Sequence, residues 1–146
     1  MYNFYGLIIF THVLSMVLSV GPLFVLFAVL KRMHGADLAI EIAYLAIFRS
    51  VVRLIKHAGH VLVGSGILLV YLGPWPWHTP WIVMTIGLMI LSIFFLASAF
   101  KGTLKKYENP DFDRQVLNRK LYSSTWTYII LLVLMLALMV MKPTLW

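Results

Sequence analysis

The stretch FYGLIIFTHVLSMVLSVGPLFVLFAVL, residues 4–30, is polar only at Tyr5, Thr11, His12, Ser15 and Ser19, and it stops at Lys31 and Arg32. As a helix it is about 40 Å long, at 1.5 Å per residue. That exceeds a hydrocarbon layer of about 30 Å, so the run predicts a membrane-spanning helix. Pro22 has no N–H to offer the carbonyl of Leu18, which predicts a kink, with Ser19 placed to solvate the freed group. Residues 1–6 contain no Lys or Arg and no small-residue cleavage site follows, so the run reads as a retained span and not as a signal peptide.

Three more apolar runs follow, at about 51–72, 81–100 and 124–141. The second helix is expected to begin near Asp37, because no proline occurs between Asp37 and Tyr71. Its first turns would then lie along the membrane interface. Between the second and third runs stands Gly73-Pro74-Trp75-Pro76-Trp77-His78-Thr79-Pro80, a charge-free turn of rigid prolines and interfacial tryptophans. A turn is also expected at Asn109-Pro110-Asp111, and Lys142, Pro143 and Trp146 mark the far end of the last run. The expected fold class is therefore all-α: one domain over residues 1–146, an integral membrane antiparallel four-helix bundle.

Composition agrees with lipid as the main solvent. The chain is 62% hydrophobic and 12% charged with a mean hydropathy of +0.91, too little polar surface to cover a water-soluble globule. A net charge of +7 on a soluble domain would point to nucleic acid, but here the cations fall in two blocks, residues 31–56 and 101–120. Eleven of the twelve Lys and Arg residues lie there, which puts loops 31–50 and 101–123 in the cytoplasm and both termini outside. The expected partners are the lipid bilayer and either a second copy of the chain or a respiratory-complex subunit; nucleic acid is not expected.

The chain has no cysteine, which excludes disulfides, thiolate metal sites and covalently attached haem, and leaves His and Met as transition-metal ligands. Titratable groups inside spans are costly, so three histidines stand out. His12 and His60 each lie about nine residues from the ends of their spans, roughly 13 Å deep, and would meet near the midplane in antiparallel neighbours. Arg53, His57, His60 and Gly64 recur at helical spacing on one face. Two imidazoles on different helices suit a six-coordinate haem iron. On this expectation His12 and His60 are axial ligands of haem b and His57 is the other candidate ligand. Arg53 and Lys56 pair with propionates, Gly64 clears space for the macrocycle, and Ser15 orients a ligand.

His12, His57 and His60, with Met16, are alternatively a copper or other metal site, or histidines that only hydrogen-bond across helices. His34 and His78 read as loop residues. All five acidic residues fall in the cytoplasmic segments, which disfavours a proton-coupled exporter. No Ser-His-Asp arrangement, Walker loop or zincin motif occurs.

The segment from Thr11-His12 to Gly21, the segment from Phe48-Arg49 through His57-Ala58-Gly59-His60 to Gly66, and the Gly73-Pro74-Trp75-Pro76-Trp77 turn together resemble a family of uncharacterised bacterial four-span membrane proteins. The likeness covers nearly the whole chain and implies a bacterial plasma membrane. More distantly, His12 followed by Gly21 is similar to the first helix of HemJ-type protoporphyrinogen oxidases and CopD-like copper proteins, which implies haem at His12. The HemJ lysine of a later span has no counterpart here, so the resemblance carries haem binding and not porphyrinogen oxidation. The functions that follow are electron transfer or haem handling, copper handling, or a cofactor-free accessory role in a larger membrane complex. The site is expected between the first two helices, with the other two as apolar packing.

Overall fold

A computed structural model describes residues 2–109 and 111–144. Pro110 and Trp146 of the expected turn and chain end lie outside them. Among the described residues every element is helical: α1 (Tyr2–Met33), α2 (Leu38–Leu72), α3 (Pro80–Phe95), a π-helical turn (Leu96–Lys101), α4 (Gly102–Lys106) and α5 (Arg114–Met141). Three stretches are long and apolar enough to cross a membrane: Asn3–Met33, the continuous rod Pro80–Lys106, and Arg114–Met141. The α2 helix is as long, but its middle carries Arg53, Lys56, His57 and His60.

The helices extend beyond the expected runs, and the expected loops shrink accordingly. Most of 31–50 is helical, broken only at residues 34–37, where Gly35 takes φ 76 and Asp37 stands at the N-cap of α2. Asp113 caps α5 by accepting from the N–H of Gln115 at 2.8 Å, so that helix starts ten residues before the apolar run. Helix α1 runs unbroken through Pro22. The expected help from Ser19 does not occur, since its buried hydroxyl has no hydrogen-bond partner among the described residues.

Helix α1 packs along α2 and also touches α5, which packs on α3. Each helix turns a narrow stripe inward. On α2 the buried residues are Glu41, Leu45, Phe48, Ile55, Ala58, Leu62 and Ser65, a spacing of three, four and seven that repeats like a coiled-coil seam. On α1 the stripe is Ser15, Ser19, Leu23, Leu26, Leu30 and Met33. The other faces expose Phe4, Phe10, Phe24, Leu68, Phe94, Ile130 and many more large apolar side chains, as lipid-facing helices do. Ser15, Ser19, Ser65, Thr85, Ser92 and Thr125 lie inside the bundle while Phe4, Phe10, Phe24 and Phe94 lie outside, because lipid gives helices no hydrophobic reason to associate and small residues allow close approach.

At the basic end the bundle is closed by aromatics and ion pairs. Phe48, Phe95, Phe100 and Tyr128 form one cluster, with ring centroids 5.9–6.4 Å apart. The π turn inserts its extra residue just there, which re-aims the rod so that Phe100, Thr103 and Leu104 are buried. Arg114 pairs with Glu41 at 2.9 Å and Arg49 with Glu108 at 3.0 Å. The amide of Asn118 donates to the carbonyl of Leu30 at 3.2 Å, which satisfies an orphan acceptor near the end of α1.

Candidate ligand cavity

The site begins with His12. Its Nδ1 lies 3.1 Å from the carbonyl oxygen of Leu62 and 3.0 Å from the hydroxyl of Ser65, across the α1–α2 seam. The carbonyl can only accept. The Ser65 hydroxyl donates to the carbonyl of Val61 at 2.7 Å, so toward the imidazole it too is an acceptor. Nδ1 therefore carries the proton, and in the neutral ring Nε2 keeps its lone pair. Nε2 makes no hydrogen bond among the described residues. Gly66 completes the seat: a Cβ there would stand 3.2 Å from Cε1 of His12.

His12 forms part of the wall of a cavity of about 370 Å³ between matching ends of the long helices. Tyr5 and His12 come from the start of α1, Leu62 and Gly66 from the end of α2, Trp81 and Thr85 from the start of α3, and Met135 and Met139 from the end of α5. Trp75 and Trp77 of the turn and Lys142 after α5 also line it. Trp75 and Trp81 meet edge to face at 5.7 Å. The ammonium of Lys142 lies 4.5 Å from the centroid of Trp75 and 5.7 Å from that of Trp81. The buried indole Nε1 of Trp81 has no hydrogen-bond partner among the described residues. The hydroxyl of Thr85 is already engaged, donating to the carbonyl of Trp81 at 2.6 Å. The cavity is thus an apolar, aromatic and thioether-lined space with the His12 imidazole and the Lys142 ammonium in its wall.

Several expectations change. His60 does not meet His12. At 100° per residue, Leu62, Ser65 and Gly66, which touch His12, lie between about 140° and 240° around α2 from His60. Arg53, Lys56, His57, His60 and Gly64 are instead exposed, and a Cβ on Gly64 would meet nothing. The rings of His57 and His60 contact each other at 6.5 Å. Three His, Cys, Asp or Glu side chains converge nowhere among the described residues, so His12, His57 and His60 are not brought together as a metal set. Ser15 is buried but donates within α1, to the carbonyl of Thr11 at 2.7 Å. Helices α3 and α5 are not mere packing, since both build the cavity wall.

Lys142 reads in the sequence as a span end and the tryptophans as interfacial anchors, and Gly66 stands there only as the end of the segment that carries the resemblance. The signal that joins them is the three-and-four spacing of α2 continued to Ser65, which selects the face toward His12. Compared with protein-family models, curated proteins and solved structures, the chain has no match, and the likeness to the four-span family stands on the quoted residues alone.

Proposed function

We propose that the chain is a bacterial plasma-membrane protein that crosses the bilayer four times with both termini outside, and that it binds haem b in this cavity through Nε2 of His12. The observation that carries the haem reading is the hold on His12. A ring whose Nδ1–H is given to a backbone carbonyl, with no hydrogen bond to Nε2 among the described residues, is held as a metal-ligating histidine is, and His12 lines an apolar cavity. The surroundings suit a porphyrin. Indoles of Trp75, Trp77 and Trp81 offer flat apolar walls, Met89, Met135 and Met139 offer thioethers from the two other helices, and Lys142 offers a cation for a propionate. Bound there, haem would supply a one-electron couple for electron transfer, or be cargo in haem handling. The participation of α2 in the cavity supports a fourth span, since it must then run beside the three apolar helices.

The test is the visible spectrum of protein purified from haem-sufficient cells. Soret and alpha bands are expected in the wild type, in His57→Ala and in His60→Ala, and not in His12→Ala. A colourless wild type, or a Soret band that survives His12→Ala, overturns the reading. The same hydrogen bonds support a second reading, a cofactor-free accessory subunit of a larger complex in which His12 only ties α1 to α2. It predicts a colourless wild type and changed co-purifying partners in His12→Ala. Copper handling would need His12 with a thioether alone, and elemental analysis separates it from haem.

A further inference from the structure

We propose that the cavity selects an apolar ligand that ends in a carboxylate, and that Lys142 is the group that recognises that carboxylate. This goes beyond the haem reading and does not require that the ligand be haem.

Lys142 is the one Lys or Arg outside the two cation blocks. The five acidic residues, Asp37, Glu41, Glu108, Asp111 and Asp113, all belong to the opposite end of the helices, where Glu41 and Glu108 are paired with Arg114 and Arg49. No acidic side chain is therefore available to Lys142 among the described residues. Its ammonium rests instead on the faces of Trp75 and Trp81. Such a contact at an exposed position is weaker than a charge-assisted hydrogen bond to a carboxylate. A carboxylate at the cavity mouth would draw the ammonium off the indoles and form the better pair.

The backbone adds a separate observation. Lys142 is the sole described non-glycine residue with positive φ, at φ 45 and ψ 57, while its N–H caps the carbonyl of Leu138 at 3.0 Å. Glycine or asparagine would serve that left-handed cap with less steric cost. A lysine kept at a strained helix end beside a cavity fits a side chain needed for contact and not for the turn.

The remainder of the wall defines the remainder of the ligand. Apart from His12, Tyr5 and Thr85 it is apolar and aromatic, and its volume lies within the range of roughly 300–1,000 Å³ usual for small-molecule sites. A porphyrin dicarboxylate and a long-chain fatty acid both present an apolar body with a carboxylate end; the first alone also presents a metal to His12.

The experiment titrates the intact chain in a neutral detergent with two matched pairs, haemin against haemin dimethyl ester by Soret absorbance, and palmitate against hexadecanol by tryptophan fluorescence. In at least one pair the acid is expected to bind about tenfold tighter than its neutral partner, the worth of one hydrogen bond to a charged group. Lys142→Gln is expected to abolish that preference, bringing the acid down to the affinity of its neutral partner measured on the same variant, and Lys142→Arg to retain it. Equal affinity within both pairs, a preference that survives Lys142→Gln, or no binding of any of the four overturns the proposal. Palmitate preference without haemin binding keeps it and removes the haem reading. Haemin binding no tighter than its ester, with no palmitate preference, does the reverse.

Discussion

At the scale of single residues, the consequences centre on His12 and its seat. A methyl group at Gly66 would stand 3.2 Å from Cε1 of His12, closer than most carbon contacts, so the ring must give way. Gly66→Ala is expected to lower ligand affinity in the cavity about tenfold or more, since a small displacement of a positioned group carries that cost. Gly64→Ala, on the open face of the same helix, is expected to change nothing, and titration of both variants checks it. At the other end Tyr107 supplies a pH test. Its hydroxyl is buried without a hydrogen-bond partner among the described residues, and burial, aided by the charge of Glu41 and opposed by Arg114, pushes its pKa well above the ordinary value. The folded state therefore disfavours tyrosinate. This contribution to stability is complete below the unfolded pKa of about 10 and is lost as pH rises beyond it. Tyr107→Phe is expected to be neutral or stabilising by up to about 1 kcal/mol at neutral pH, because only an unpaired hydroxyl is removed. It should also blunt the loss of thermal stability between about pH 10 and 12.

At the scale of helices, what could be read in advance differed between the long axis and the circumference. Positions along the axis were legible in part: Lys31-Arg32 and Gly73-Pro74 mark the ends of α1 and α2, whereas the rod from Pro80 runs on to Lys106 and α5 begins ten residues before its apolar run. The face of a helix was not. In water a polar stripe marks the outside, but in these helices lipid-facing residues such as Phe10 and inward residues such as Leu23 are equally apolar, so periodicity loses its contrast. Arg53, His57, His60 and Gly64 share a face as their spacing implies, yet that face points outward, because the seam of Ile55, Ala58, Leu62 and Ser65 takes the inward position. Burial of small and aliphatic groups against α1 outcompeted a histidine pairing that would have needed α2 to rotate by about half a turn. A substitution series can check this rotation. Ile55→Ala is expected to destabilise by about 2–4 kcal/mol through the cavity it leaves, whereas Leu54→Ala, exposed on the adjoining face, is expected to cost less than about 1 kcal/mol. Equal costs in a detergent unfolding assay would mean that α2 is turned otherwise.

At the scale of the whole molecule, the open matter is the path of α2 through the bilayer, because its polar middle sets it apart from the three clearly apolar stretches. Two arguments bear on it. The cations of residues 31–56 and 101–120 share one end, and the tryptophan turn, the start of α1 and the exit of α5 share the other, where they enclose one cavity. Such segregation follows from the bias of Lys and Arg toward the cytoplasm only if all four long helices cross. If α2 lay along the surface, the turns at its two ends would share a side of the membrane. The chain has no native cysteine, so single cysteines report position without background. Cysteines at His34 and Glu108, in the two turns of the basic end, are expected to react with a membrane-impermeant maleimide only after cells are permeabilised. Cysteines at Trp77 and Thr144 are expected to react in intact cells. Reaction of positions 34 and 77 from the same side would show that α2 does not cross. The opposite pattern at all four would reverse the orientation and place the mouth guarded by Lys142 in the cytoplasm, where ligand would have to be supplied from within the cell.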